Sequence, residues 1–158
     1  MALLFQILKE QGLVLTNHFI ESESQDYEAA QFEVNGSHVI YRKAKQTPKK
    51  KGQFVTYWKR LKTSVIAPFH ESDGFDFYII TVQSDWGEGV FIFPKNVLID
   101  QGIVSTSNKE GKRGFRVHIP FETDLNKQAV KTQAWQRKCY YKVSDVDFKN
   151  TLLKLFGN

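Results

Sequence analysis

Two short runs constrain the fold more than any other part of the chain: FDFYIITV at 75–82 and GVFIF at 89–93. Both are dense in aromatic and β-branched side chains, the composition of buried or half-buried strands, so they belong at the centre of a sheet. Other elements arrange around them. The sequence AAQFEVNGSHVIYRKAK alternates about Asn35-Gly36, a dipeptide that favours a two-residue hairpin turn. KRGFRVHIPF reads as a further strand, with Phe115, Val117 and Ile119 on one side and Arg116 and His118 on the other.

Helical spacing marks five other places. Leu3, Leu4, Ile7 and Leu8 predict a short N-terminal helix closed near Gly12, and PKNVLIDQG a short helix opened by Pro94 and closed at Gly102. Asn126 to Tyr141 predicts the longest helix, with Ala129, Val130, Gln133, Ala134 and Arg137 on one face. A last helix, capped at Ser144 or Asp145, carries Phe148, Leu152, Leu153, Leu155 and Phe156. Phe54, Tyr57, Trp58 and Leu61 have amphipathic spacing too, predicting a helix over KKKGQFVTYWKRL after a break at Thr47-Pro48. No repeat and no linker interrupts the 158 residues. The expectation is one α+β domain over residues 1–158, its mixed or antiparallel sheet curled into a barrel-like core with flanking helices.

Charge is distributed unevenly. Twenty-two Lys and Arg against seventeen Asp and Glu leave a formal +5. Residues 21–28, ESESQDYE, are acidic, and no acid stands between Glu33 and Glu71. That stretch contains Arg42, Lys43, Lys45, Lys49, Lys50, Lys51, Lys59, Arg60 and Lys62. Such a concentration of positive charge suits an acidic partner: nucleic acid, a nucleotide or an anionic lipid surface. The single cysteine, Cys139, excludes an internal disulfide framework, and no apolar run approaches the roughly 18 residues of a membrane span. A soluble cytoplasmic protein without membrane insertion is expected.

Catalytic signals are thin. The phosphate-cradling GxGxxG and GxxxxGK[ST] loops are absent, and GEG at 87–89 is too little to replace them. His18, His38, His70 and His118 show no paired ligand spacing, and one cysteine makes no zinc site, so neither a metal nor a cofactor is expected. Cys139, in a helix flank beside Tyr140, reads as a small buried thiol rather than a nucleophile. HESDGFDF places His70, Glu71, Asp73 and Asp76 before a strand, where metal-dependent nucleases hold acids. The lysine that often follows such an acid by two residues is missing after Asp76, Glu88 and Glu33, and a polar turn entering a strand explains the acids as well.

The basic stretch is interleaved with Phe54, Tyr57 and Trp58, and a second cluster, KEGKRGFR, follows at 109–116. Lysine and arginine neutralise phosphates, and aromatic faces stack on exposed bases. The competing reading makes the aromatics the core face of an amphipathic helix and the cations its solvated side.

The strings RKAKQTPKKKGQFVTYWKR, IAPFHESDGFDFYII, VFIFPKNVLIDQGIVS, GKRGFRV and NKQAVKTQAWQ, in that order, resemble the MepB family over about Tyr27 to Trp135. This is a family of small bacterial proteins best known from an operon with a multidrug efflux pump and its repressor. The resemblance implies no assigned enzymatic role and a fold similar to the mixed barrels of some DNA-binding effector modules of restriction enzymes. Arg42, Lys45, Thr47, Pro48, Lys49, Lys50, Gly52, Gln53, Phe54, Trp58, Lys59 and Arg60 fit the family pattern. So do Phe93, Pro94, Lys95, Lys112, Arg113, Gly114, Phe115 and Arg116. Many of these are charged or small, which suits a ligand surface better than a core.

The expectation is a non-enzymatic protein that binds nucleic acid or a nucleotide through Arg42, Lys45, Lys49, Lys50, Lys51, Trp58, Lys59, Arg60, Lys112, Arg113 and Arg116. Two alternatives stand beside it: a magnesium-dependent phosphodiester-processing enzyme using Asp73, Asp76 and Glu33, and a module that docks on an acidic protein partner.

Overall fold

A computed structural model describes residues 1–157. The two apolar runs form β8 (Phe77–Ser84) and β9 (Gly87–Pro94), paired antiparallel near the middle of a six-stranded sheet. Around them lie β1 (Leu15–Ile20), β2 (Ala30–Val34), β3 (Ser37–Lys43) and β11 (Tyr140–Lys142), in the order β1-β2-β3-β8-β9-β11. The β2–β3 turn is made by Asn35 and Gly36, both at positive φ (48° and 85°), as the hairpin reading requires. All pairings in this sheet are antiparallel except β3 with β8.

Neither face of the sheet is left to water, which is why its central strands are apolar in unbroken runs rather than in alternation. On one face Tyr41, Ile79, Val90 and Ile92 meet Leu4 and Leu8 of α1 (Ala2–Glu10) and Phe148 and Leu152 of α4 (Phe148–Phe156). On the other, Ile40, Tyr78, Ile80, Phe91 and Phe93 meet Val55, Tyr57, Phe115 and Val117. These last residues belong to or adjoin a three-stranded sheet of β10 (Gly114–Val117), β5 (Gln53–Thr56) and β4 (Lys45–Gln46). A ribbon of β6 (Trp58–Arg60) and β7 (Ile66–Pro68) follows β5. The crossover from β3 to β8 thus runs through the second layer, and α2 (Lys95–Asp100) and α3 (Lys127–Gln136) lie beyond it in the chain.

Three expectations need correction. The six-stranded sheet is open, with β1 and β11 as its edges, so the core is two layers packed on a sheet and no closed barrel. Residues 53–60 are extended, not helical. Gln53, Val55 and Tyr57 are buried while Phe54, Thr56 and Trp58 are half-buried, a period of two. Pairing with β10, from Gly114↔Thr56 to Val117↔Gln53, overrides the helix-like spacing, and the QFVTYW composition favours a strand in any case. The long helix also ends earlier than expected: a 3-10 turn at Arg137–Cys139 leads into β11, which extends the main sheet.

Candidate functional site

The short loop between β4 and β5 carries Lys49, Lys50 and Lys51, all exposed. It is fastened from beneath. The Arg116 guanidinium, on β10, donates through Nη1 to the carbonyls of Lys51 (3.2 Å) and Gly52 (3.4 Å) and through Nη2 to Thr47 Oγ1 (2.7 Å). Gly52 N donates to Glu122 Oε2 at 2.9 Å, and the other Glu122 oxygen lies 2.5 Å from His118 Nδ1. Gly52 sits at φ +78°, and a Cβ there would approach His118 Cε1 to 2.6 Å, so only glycine fits.

Beside this loop runs a groove of about 640 Å³ lined by Lys49, Lys50, Lys51, Lys112, Arg116 and the first turns of α3. Asn126 caps α3, its Oδ1 accepting from Ala129 N at 2.8 Å. The buried positions of α3 are polar, beside a half-buried Trp135 that packs on Phe93: Gln133 donates to the carbonyls of Ile119 and Glu122, and Gln136 pairs with the carbonyl of Arg116 and the amide of His118. Buried amides therefore bolt α3 onto the end of β10; of the face expected to pack, Gln133 is buried while Ala134 and Arg137 are exposed and Val130 points outward at 50% exposure. Lys49, Lys50 and Lys112 make no side-chain hydrogen bond or ion pair among the described residues, while Lys51 Nζ donates to Thr123 O at 2.7 Å. One carboxylate, Asp124, sits on the groove wall.

The remaining expected cations are elsewhere. Arg42 is buried at 1% exposure, ion-paired with Glu21 and hydrogen-bonded to the Tyr41 carbonyl. Its Nε and the nearby Tyr57 hydroxyl are buried without a hydrogen-bond partner. Lys59 pairs with Asp73 at 2.7 Å, and Asp73 also accepts from His70 N. Arg60 pairs with Glu23 at 2.7 Å and lies over the Trp58 ring at 5.6 Å. Arg42, Trp58, Lys59, Arg60, Glu21 and Glu23 line a separate cleft. Lys45 lies over the Tyr27 ring, and Arg113 pairs with Glu110 at 2.9 Å. The structure thus gathers five of the eleven expected residues, Lys49, Lys50, Lys51, Lys112 and Arg116, into one groove. Three more, with Trp58, belong to the acid-lined cleft.

The acids weighed for metal chemistry have other partners. Asp76 Oδ2 accepts from His38 N, Glu33 Oε2 accepts from Thr16 and Asn17, and Asp73 holds Lys59. No cluster of three His, Cys, Asp or Glu able to hold a metal ion occurs among the described residues. Cys139 is buried, and burial pushes its thiol up against the opposing charge of Lys138, as suits an inert packing group. Among the described residues no helix is long and apolar enough to cross a membrane.

Comparison with solved structures gives a match to a crystal structure of MepB at 33% identity and a TM-score of 0.82, covering 91% of this chain and 96% of that one. A bacterial homing endonuclease matches at 16% identity and a TM-score of 0.46, over 85% of this chain and 84% of that one. A search of curated proteins finds no match. The MepB-like family profile matches residues 21–142, a span from the acid-rich loop through β11 that includes the lysine loop and both walls of the groove, and the chain belongs to the MepB-like family.

Proposed function

We propose that this protein binds nucleic acid without chemistry of its own, through the groove between the 47–52 loop, β10 and the first turns of α3. The observation that carries the reading is the convergence there of Lys49, Lys50 and Lys51 with Lys112 and Arg116, more than 60 positions away in the chain. Lys49, Lys50 and Lys112 have no carboxylate partner among the described residues, so their charge is available to an anion from outside. The N-terminal end of α3 adds the positive end of a helix dipole to the same wall. A polyanion such as nucleic acid satisfies several spaced cations together, and each phosphate contact releases counterions. Arg116 contributes differently, since its guanidinium stacks over Phe54 at 5.8 Å and holds the loop in place.

The test is a fluorescence-anisotropy titration of labelled oligonucleotides at several salt concentrations, comparing the wild type with Lys49→Glu/Lys50→Glu/Lys112→Glu. The wild type should bind with an affinity that falls steeply with salt, and the variant should lose about one unit of salt slope per lysine. Binding that is flat in salt, or undiminished in the variant, would defeat the proposal. Oligonucleotides left uncut in magnesium while bound would separate this reading from a phosphodiesterase.

A further inference from the structure

Next to the groove lies a pair of rings that charge does not explain. Trp86 is 50% exposed and Phe121 40%, and their centroids are 5.6 Å apart with the planes 31° from parallel. Trp86 occupies the tip of the β8–β9 hairpin, beyond the last register pair Ser84↔Gly87, and Phe121 follows the end of β10. Phe121 is braced edge-on by Tyr140 at 6.2 Å, and Tyr140 rests on Phe91 of the core at 5.1 Å. Two large aromatics in tilted contact with each other, braced from the core side, keep apolar surface exposed to water.

Their surroundings select the occupant. The recess of about 360 Å³ lined by Trp86 and Phe121 is also lined by Lys50 and Lys51, two of the four lysines that line the basic groove. Of its acids, Glu122 is already occupied by Gly52 N and His118, which leaves Asp85 on the rim. The aromatics of the basic stretch itself are poorly placed for stacking: Arg116 lies over Phe54 and Arg60 over Trp58.

We propose that Trp86 and Phe121 form a stacking platform for unpaired nucleobases, so that the strand leaving the basic groove past Lys50 and Lys51 is single-stranded. The inference rests on the nucleic-acid reading above and gives it a ligand class. A duplex conceals its base faces and presents mainly phosphates, whereas a single strand offers a π-face at every residue to a ring beside a cation.

The test uses the full chain with oligo(dT) and oligo(rU) of about 12 nucleotides, within the span one such binding surface covers, and a blunt duplex of equal length. Wild type, Trp86→Ala/Phe121→Ala, Trp86→Tyr and Lys49→Glu/Lys50→Glu are titrated by anisotropy, and folding is checked by circular dichroism. The double alanine variant should lose roughly tenfold or more in affinity for one or both single strands. It should keep the wild-type salt slope and the wild-type affinity for duplex, and Trp86→Tyr should bind single strands nearly as the wild type does. If the double alanine variant binds both single strands like the wild type while the lysine variant fails, the platform is refuted and the groove stands. If the wild type binds no nucleic acid at low salt, the groove and the platform fall together.

Discussion

Lys49, Lys50 and Lys112 stand on the groove with no acid paired to them among the described residues, whereas Arg42, Lys59 and Arg60 each meet one, in Glu21, Asp73 and Glu23. The two regions draw on the same residue types and, Lys112 aside, on one stretch of sequence. What separates them is the second layer of the fold: past the break in strand pairing at Tyr57 the chain passes from the lysine loop and β5 to β6, beside the acidic segment at 21–28. A cation neutralised within the molecule has little charge left for a distant phosphate, and removing a buried one strands its partner. The cleft cations should therefore affect stability when removed, and the groove cations binding.

The largest effect is expected at Arg42. Its side chain is 2% exposed and Glu21 19% exposed, so Arg42→Met leaves an acid mostly shielded from water and should cost about 3 kcal/mol or more in urea unfolding. Lys49→Glu/Lys50→Glu/Lys112→Glu should stay within about 0.5 kcal/mol of wild type while losing nucleic-acid affinity. Equal destabilisation by the two variants would break the comparison. The same core sets an alkaline limit. Burial pushes Tyr57 and Tyr78 well above the phenol value of 10.0, with Arg42 pulling both down. The unfolded chain releases those protons first, so stability held below about pH 10 should be lost as pH rises beyond it. Unfolding monitored by tyrosine absorbance would show it.

Gly52→Ala comes next, because it touches the groove without touching charge. Alanine at φ +78° against the His118 ring should cost about 1–3 kcal/mol. If the position of the lysine loop matters, affinity should fall while the salt slope hardly changes. A normal affinity in a destabilised protein would show instead that the lysines act without a fixed geometry.

What is legible in the sequence depends on whether the deciding contact is local. The strands at 77–84 and 87–94, the Asn35-Gly36 turn and the two terminal helices are specified by their own residues, and the structure has them. The stretch at 53–60 misleads because Phe54, Tyr57 and Trp58 fit a helical stripe, whereas pairing holds it extended: residues 53–56 with Gly114–Val117, some 60 residues on, and 58–60 with Ile66–Pro68. The cations follow the same rule. Their clustering is plain, but an acid-free run of sequence is not acid-free in space: Glu21, Glu23 and Asp73 lie outside the run and fold onto Arg42, Arg60 and Lys59. Reasoning from charge misses Trp86, although a tryptophan within SDWGEG, between two predicted strands, is a signal in itself, since a turn has no core to bury it.

The smallest effects should come from the exposed pair in the cleft, and they sharpen the comparison most. Arg60 and Glu23 are both more than two-fifths exposed, so Glu23→Gln should change stability by under about 1 kcal/mol, with water screening the lost attraction. Its value lies in binding. Arg60 would stay in place, fixed by its bond to the Ser64 carbonyl and its position over Trp58, but without its counter-charge. If the pairing with Glu23 is what keeps Arg60 from acting on nucleic acid, Glu23→Gln in the Lys49→Glu/Lys50→Glu background should recover a few-fold of the lost affinity at low salt, measured by anisotropy. No recovery would mean that the place of the cleft, and not its acids, keeps it out of contact. The two regions would then differ in geometry before they differ in charge.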